Sequence, residues 1–201
     1  MLIYGIVRKR ILTDGSGITD LIGMAECPLN CTYCLNKETI SNAKTYDITP
    51  QQLLDLVLPE ACYFYSTQGG VTFGGGEPLL QADEIIEFAK IIPEWMKINV
   101  ETSLNINKEN VLKLIPYINE WIIDIKSLDE EIYKQYTKQF PKYENLGLLP
   151  KEKCHIRIPI IPNYKSEEIA MQEKEKLINM GFHNIEVFTY ITERNDAFKI
   201  N

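Results

Sequence analysis

The chain has 201 residues, of which 45% are hydrophobic and 24% charged, and 21 Lys and Arg against 28 Asp and Glu give a net charge of −7. That balance excludes a disordered or fibrous chain and argues against general nucleic-acid binding, which needs a basic footprint. No apolar run approaches the roughly 18 residues of a membrane span, and the N-terminus lacks the charged, apolar, small order of a signal peptide. The expectation is one domain over residues 1–201, cytoplasmic, with neither a membrane nor a nucleic acid as partner.

In chain order, Ile3–Arg10 reads as a hairpin or edge strand, and Leu21–Ala25 as a short apolar strand. Thr49-Pro50 opens a helical pattern over Pro50–Pro59, with Thr49 as N-cap and proline at the first helical position. Apolar, β-branched runs at Gly70–Gly74, Lys97–Thr102, Trp121–Lys126, His155–Ile161 and Ile185–Tyr190 then read as strands. Helical patterns lie between them at Ala82–Ile92, Lys108–Ile118, Asp129–Gln139 and Ser166–Met180. Asn107, Ser127 and Ser166 are the expected caps, and Gly181 ends the last helix. Strands alternating with helices imply parallel pairing through right-handed crossovers. Six such strands form either an open doubly wound sheet or an incomplete βα barrel.

Unusual residues gather at or just past the strand ends. They are Cys27, then Gly74-Gly75-Gly76-Glu77, then Glu101-Thr102-Ser103, then Asp124 and Lys126, with Arg157 on the fifth strand. In βα architectures the chemistry collects at that edge. Residues 134–157 are locally basic, with Lys134, Lys138, Lys142, Lys151, Lys153 and Arg157 against Glu144 and Glu152. They read as a solvated helix and loop, or as a docking surface for an acidic partner.

Five cysteines cannot all pair within the chain, and clustered cysteines in a cytosolic protein point to metal or catalysis. Cys27, Cys31 and Cys34 sit in CPLNCTYC, a Cx3Cx2C spacing. Three thiolates on one loop can hold a reactive metal centre that keeps an open position. A structural zinc completed by Cys62, Cys154, His155 or His183 is the alternative. Cys62 and Cys154 otherwise read as buried small hydrophobes. The second motif is TFGGGEPLLQ, residues 72–81. Glycines directly after a strand let the backbone approach a ligand closely. Glu77 adds a fixed carboxylate able to accept a hydrogen bond from a ligand ammonium group. The run is neither a phosphate loop nor a dinucleotide fingerprint.

Together, the three cysteines and Gly75-Gly76-Glu77-Pro78 resemble the radical S-adenosylmethionine superfamily. Asp14-Gly15-Ser16-Gly17-Ile18, VTFGGGEPLLQ, VETSLN, IIDIKSLD and IRIPIIPN resemble, in order, segments of pyruvate formate-lyase activating enzymes. The resemblance implies an incomplete (β/α)6 barrel of the radical SAM type and an enzyme that reductively cleaves S-adenosylmethionine. A 5′-deoxyadenosyl radical would then abstract a substrate hydrogen. It implies that Cys27, Cys31 and Cys34 ligate a 4Fe-4S cluster and that Tyr33 lies near the adenine. Gly75, Gly76 and Glu77 would hold the methionine end, with Thr102 and Ser103 nearby and Lys126 facing the cofactor carboxylate. Glu101 and Asp124 would help hold a monovalent cation, and Arg157 would lie on the barrel floor. The implied partners are a glycyl-radical enzyme or a peptide substrate, and a flavodoxin- or ferredoxin-type electron donor. The alternative substrates are those of ribosomal peptide maturases or of 7-carboxy-7-deazaguanine synthase-like enzymes. A non-enzymatic metal-bound interaction module is the third reading. Thr19, Glu26, Leu35, Glu101 and Thr189-Tyr190-Ile191 depart from the family pattern, Glu26 standing where a glycine usually precedes the first cysteine.

Overall fold

The computed structural model describes residues 1–42 and 44–192. β1 (Leu2–Ile11) and β2 (Ile18–Met24) form an antiparallel hairpin, as expected for the first segment. A short helix, α1 (Lys37–Asn42), follows the cysteine loop, and β3 (Tyr46–Asp47) pairs with the outer side of β1. Then come α2 (Pro50–Val57), α3 (Ala61–Thr67), β4 (Gly70–Gly74), α4 (Ala82–Ala89) and β5 (Lys97–Thr102). α5 (Lys108–Leu114), β6 (Glu120–Asp124), α6 (Glu130–Thr137), β7 (Cys154–Ile160), α7 (Glu167–Asn179) and β8 (Asn184–Thr189) complete the described elements.

The sheet order is β3-β1-β2-β4-β5-β6-β7-β8, and β2 through β8 pair in parallel. After β2 the order never reverses. Right-handed crossovers that always advance in one direction put every helix on the same face. A doubly wound sheet needs a reversal, so the architecture is the incomplete barrel. Alternation along each strand sorts the side chains between the two faces. Val71 and Phe73, Ile98 and Val100, Trp121 and Ile123, and Ile156 and Ile158 join one core with Leu53, Phe64, Ile85, Phe88, Leu114 and Leu177 of the helices. The opposite, concave face carries Thr72, Asn99, Glu101, Asp124 and Arg157. The barrel wall is thus apolar outside and polar inside.

Local chemistry explains most of the helix boundaries. Thr49 accepts from Gln52 N–H in a full capping box, with Pro50 at the first position. Ser166 caps α7 by accepting from Ile169 N–H. Ser127 does not cap α6. Asp129 does so by accepting from Ile132 N–H, while Ser127 Oγ accepts from Asp129 N–H at 3.0 Å. Asn107 stands at the start of α5, but its side chain accepts from Lys142 Nζ at 3.0 Å instead. The basic stretch at 134–157 does not form one surface. Lys134 and Lys138 belong to α6 and its end. Lys151 and Lys153 precede β7 at the opposite end of the sheet, with Lys153 donating to Ile118 C=O, and Arg157 points into the barrel.

Candidate active site

The loop after β2 carries the three thiols, with Cys31 buried, Cys27 and Cys34 half-buried, and none in a disulfide. The far end of α6 clamps this loop. Asn30 N–H donates to Thr137 C=O at 2.9 Å and Thr32 N–H to Tyr136 C=O at 3.0 Å. Tyr33 lies edge-on to Tyr164, with ring centroids 5.9 Å apart, and its hydroxyl accepts from Asn163 Nδ2 at 3.1 Å. Tyr136 lies 5.3 Å from Tyr164, so three tyrosines wall the loop.

Burial pushes the Cys27 thiol up to about 12. Burial raises Cys31 too, against the pull of the Lys126 charge. Thiols so placed keep their protons until a metal displaces them. Among the described residues no three His, Cys, Asp or Glu side chains converge on a single ion. A mononuclear zinc site asks for that convergence, whereas a 4Fe-4S cluster takes each thiolate on a different iron. The side chains that could complete a zinc site lie elsewhere. Cys154 and His155 begin β7 at the opposite end of the sheet, His183 precedes β8, and Cys62 is on α3. Cys62 is exposed rather than buried, and Cys154 is buried as expected.

Glu26, just before Cys27, has φ +72°. The left-handed region costs a non-glycine residue about 1–2 kcal/mol, which accounts for the glycine of the family pattern. Glu26 is exposed. Glu26→Gly is therefore expected to stabilise the protein by about 1 kcal/mol in urea unfolding. A loss of stability would mean that the side chain makes a contact worth more than the strain.

The glycine loop is laced to this same backbone. Gly76 N–H donates to Met24 C=O at 3.1 Å and Glu77 N–H to Glu26 C=O at 2.9 Å. A Cβ on Gly76 would stand 2.2 Å from Glu26 O and 2.6 Å from Met24 O. Glu77 is 1% exposed. Its Oε1 accepts from Thr102 Oγ1 at 2.6 Å and Leu79 N–H at 3.4 Å. Its Oε2 accepts from Ser103 N–H at 3.1 Å and Ser103 Oγ at 2.8 Å. Burial raises the carboxyl while these donors pull it down. Glu77 thus joins the loop after β4 to the loop after β5, and the sequence gives no hint of that link.

On the concave face, Arg157 Nη1 donates to Glu101 Oε1 at 2.6 Å, and its Nε lies 3.5 Å from Asp124 Oδ1. Lys126 Nζ donates to Asp124 Oδ2 at 3.0 Å. Burial and the neighbouring Asp124 charge push Glu101 up. Burial also pushes Asp124 up, but Lys126 and Arg157 outweigh it and hold the carboxyl low. Burial opposes the Lys126 charge, and Asp124 more than compensates. Two carboxylates therefore face two fixed cations. A monovalent cation held by Glu101 and Asp124 would share these carboxylates with Arg157 and Lys126. A buried pair outside the expected set steadies the segment around Lys126. Lys165 Nζ donates to Glu173 Oε2 at 2.8 Å, and Glu173 Oε1 accepts from Ser127 Oγ and Leu128 N–H, each at 2.6 Å.

Three loops and the concave face thus bring the thiols, the Glu77 brace and a charge-balanced quartet to one rim. Residues 21–172 match the family model of the Radical SAM superfamily. The chain belongs to that superfamily, an enzyme family that uses a 4Fe-4S cluster and S-adenosylmethionine. It is 30% identical over 189 residues to the pyruvate formate-lyase-activating enzyme of Clostridium pasteurianum, covering 87% of this chain and 75% of that protein. It is 31% identical over 159 residues to the (2S)-3-sulfopropanediol dehydratase activating enzyme of Klebsiella oxytoca, covering 74% of this chain and half (50%) of that protein. Streptococcus suis SuiB, bound to its precursor peptide SuiA, shares the fold at a TM-score of 0.60 and 18% identity, covering 83% of this chain and 37% of that chain. No helix among the described residues is long and apolar enough to cross a membrane.

Proposed function

We propose that this chain activates a glycyl-radical enzyme by removing a hydrogen atom from the backbone of that partner. The observation that carries the reading is the meeting of the cysteine loop, the glycine loop and Lys126 at one rim. Its similarity to two activating enzymes supports the choice of substrate class. The residues present fit the cofactors. Three free thiols on one loop suit three irons. When bound, the reduced cluster and S-adenosylmethionine supply a carbon-centred radical able to take a substrate hydrogen.

Cys27, Cys31 and Cys34 would hold three irons. Gly75 and Gly76 would admit the methionine end, and Glu77 would keep Thr102 and Ser103 in place beside it. Lys126 would face the cofactor carboxylate, Tyr33 would flank the adenine, and Arg157 would hold the floor of the barrel beneath the substrate. The tyrosine wall would shield the reacting atoms from water. A flavodoxin- or ferredoxin-type protein would deliver the electron. The second reading is modification of a peptide, in line with the fold shared with peptide-bound SuiB.

The test is anaerobic. The cluster is rebuilt with iron and sulfide and reduced, and 5′-deoxyadenosine and methionine are then quantified. Cleavage is expected from the native chain and none from Cys31→Ala. A glycyl doublet by electron paramagnetic resonance on a candidate glycyl-radical partner would support activation. Cleavage without that doublet, with deuterium moving from a labelled precursor peptide into 5′-deoxyadenosine, would favour the second reading.

A further inference from the structure

A second polar site lies where β5 to β8 begin, at the end of the barrel opposite the cysteine loop. Lys97 starts β5, Glu120 starts β6, Glu152 and Lys153 precede β7, and Asn184 starts β8. With Asn99 they line a cleft of about 310 Å³. Alternation along the strands puts Lys97 and Asn99 on the face of Glu101, Glu120 on that of Asp124, and Asn184 on that of Glu186, the register partner of Arg157. The cleft is therefore the lower part of the concave face that carries the charged quartet.

Asn99 is 1% exposed. Thr72 Oγ1 donates to Asp14 C=O, so toward Asn99 it can only accept, and Asn99 Nδ2 lies 3.4 Å from it. Gly15 packs on the same amide, where a Cβ would stand 2.3 Å from Asn99 Nδ2. The amide is fixed in this orientation, and its Oδ1 has no hydrogen-bond partner among the described residues. A buried acceptor left unmet lowers stability, and leucine would fill the same space without that cost. The lining also sets two lysines against two glutamates, so it suits an uncharged ligand that offers both donors and acceptors. A peptide main chain is such a ligand. Asn99 is two residues below Glu101, and Glu120 four below Asp124, which puts the cleft about 7–13 Å from the quartet at about 3.3 Å per residue. An extended peptide passing over the Glu101–Arg157 pair spans that distance in about two to four residues.

We infer that this cleft binds the main chain of the peptide substrate, Asn99 Oδ1 accepting from a backbone N–H a few residues along from the one that loses its hydrogen. The inference rests on the functional reading above and adds a substrate subsite that neither the cysteine motif nor the glycine motif contains.

Asn99→Leu and Asn184→Ala test the cleft from its buried wall and from its exposed rim. The probe is a fluorescein-labelled nine-residue peptide centred on the reactive glycine of the candidate partner. It is titrated by anisotropy, under anaerobic conditions, against protein carrying its cluster and S-adenosylmethionine. Asn99→Leu should bind it about tenfold more weakly and Asn184→Ala about threefold. Methylating one backbone nitrogen two to four residues from the glycine should weaken binding to the native protein about as much as Asn99→Leu does. The same methyl group should cost nothing further in Asn99→Leu, because both changes remove one hydrogen bond. S-adenosylmethionine affinity should stay within about twofold of native in both variants. Peptide affinity within about twofold of native in both variants would overturn the inference. So would a methyl scan in which no position two to four residues from the glycine weakens binding, or in which every loss adds to that of Asn99→Leu. Failure of the loaded native chain to bind the unmodified peptide is a separate result, and it would remove the activation reading together with this subsite.

Discussion

Arg157→Leu is expected to destabilise the protein by about 3–5 kcal/mol near neutral pH, the scale for breaking a buried charge pair by removing one partner. Arg157 sits between Glu101 and Asp124, and only Lys126 would remain to balance both carboxylates. The pH dependence follows from Glu101. Its native carboxyl already binds a proton more tightly than at the ordinary value of 4.5, because of burial and the Asp124 charge. Stability from this group is therefore full below 4.5 and declines as pH rises through the native value. Loss of the guanidinium moves that decline further up. Asp124 works in the opposite sense. Its native carboxyl is held below 3.8, so its contribution is present above that value and fades in acid. The variant should be weakest in mildly alkaline solution and regain stability on acidification, as Glu101 takes up its proton. Urea unfolding under both conditions decides the matter. A deficit that does not change with pH would mean that the arginine acts through packing, for instance on Phe188, whose ring centre lies 5.4 Å from its guanidinium carbon.

Gly76→Ala is the second large effect. The new methyl group would collide with two backbone oxygens rather than with a flexible side-chain tip. The loop must move, and the Glu77 N–H to Glu26 C=O bond would break with it. That bond sits one residue before Cys27. The displacement therefore reaches the thiols and the Glu77 brace together. Misplacing a positioned group by about 1 Å costs on the order of 100-fold in rate, and the same loss is expected in S-adenosylmethionine cleavage. Overpacking should also remove about 1–3 kcal/mol of stability. Native cleavage rates in Gly76→Ala would show that the glycine is a turn residue with no part in the cradle.

Much of this architecture was legible because short apolar runs announce buried parallel strands. Turn and cap residues then marked where α2 and α7 begin. α1 escaped because six residues are too few to show a helical period, and α3 because ACYFYST is made mostly of poor helix formers. Ser127 and Asp129 are both good caps, and only the fold decides which backbone N–H each one meets. The rim position of Cys27, Glu77, Glu101, Asp124 and Lys126 could be read from their places after the strands. Their partners could not. Glu77 finds Thr102 and Ser103 across 25 and 26 positions, and Glu173 finds Ser127 across 46. A lysine and a glutamate in a charged helical stretch look solvated, yet Lys165 and Glu173 are each 2% exposed. The basic stretch is divided for a related reason. Charges contiguous along the chain are thrown to opposite ends of a parallel sheet by a single loop and strand.

The clamp on the cysteine loop also fixes an order of assembly. Thr32 and Tyr136 are 104 residues apart. A ribosome adding about 5–20 residues per second makes the thiols about 5–20 s before it makes the residues that hold them. During that interval the loop has neither its tyrosine wall nor its anchor on α6. Iron arriving then would meet three thiols on a loose strand of chain. Metal insertion therefore belongs after release of the α6 segment.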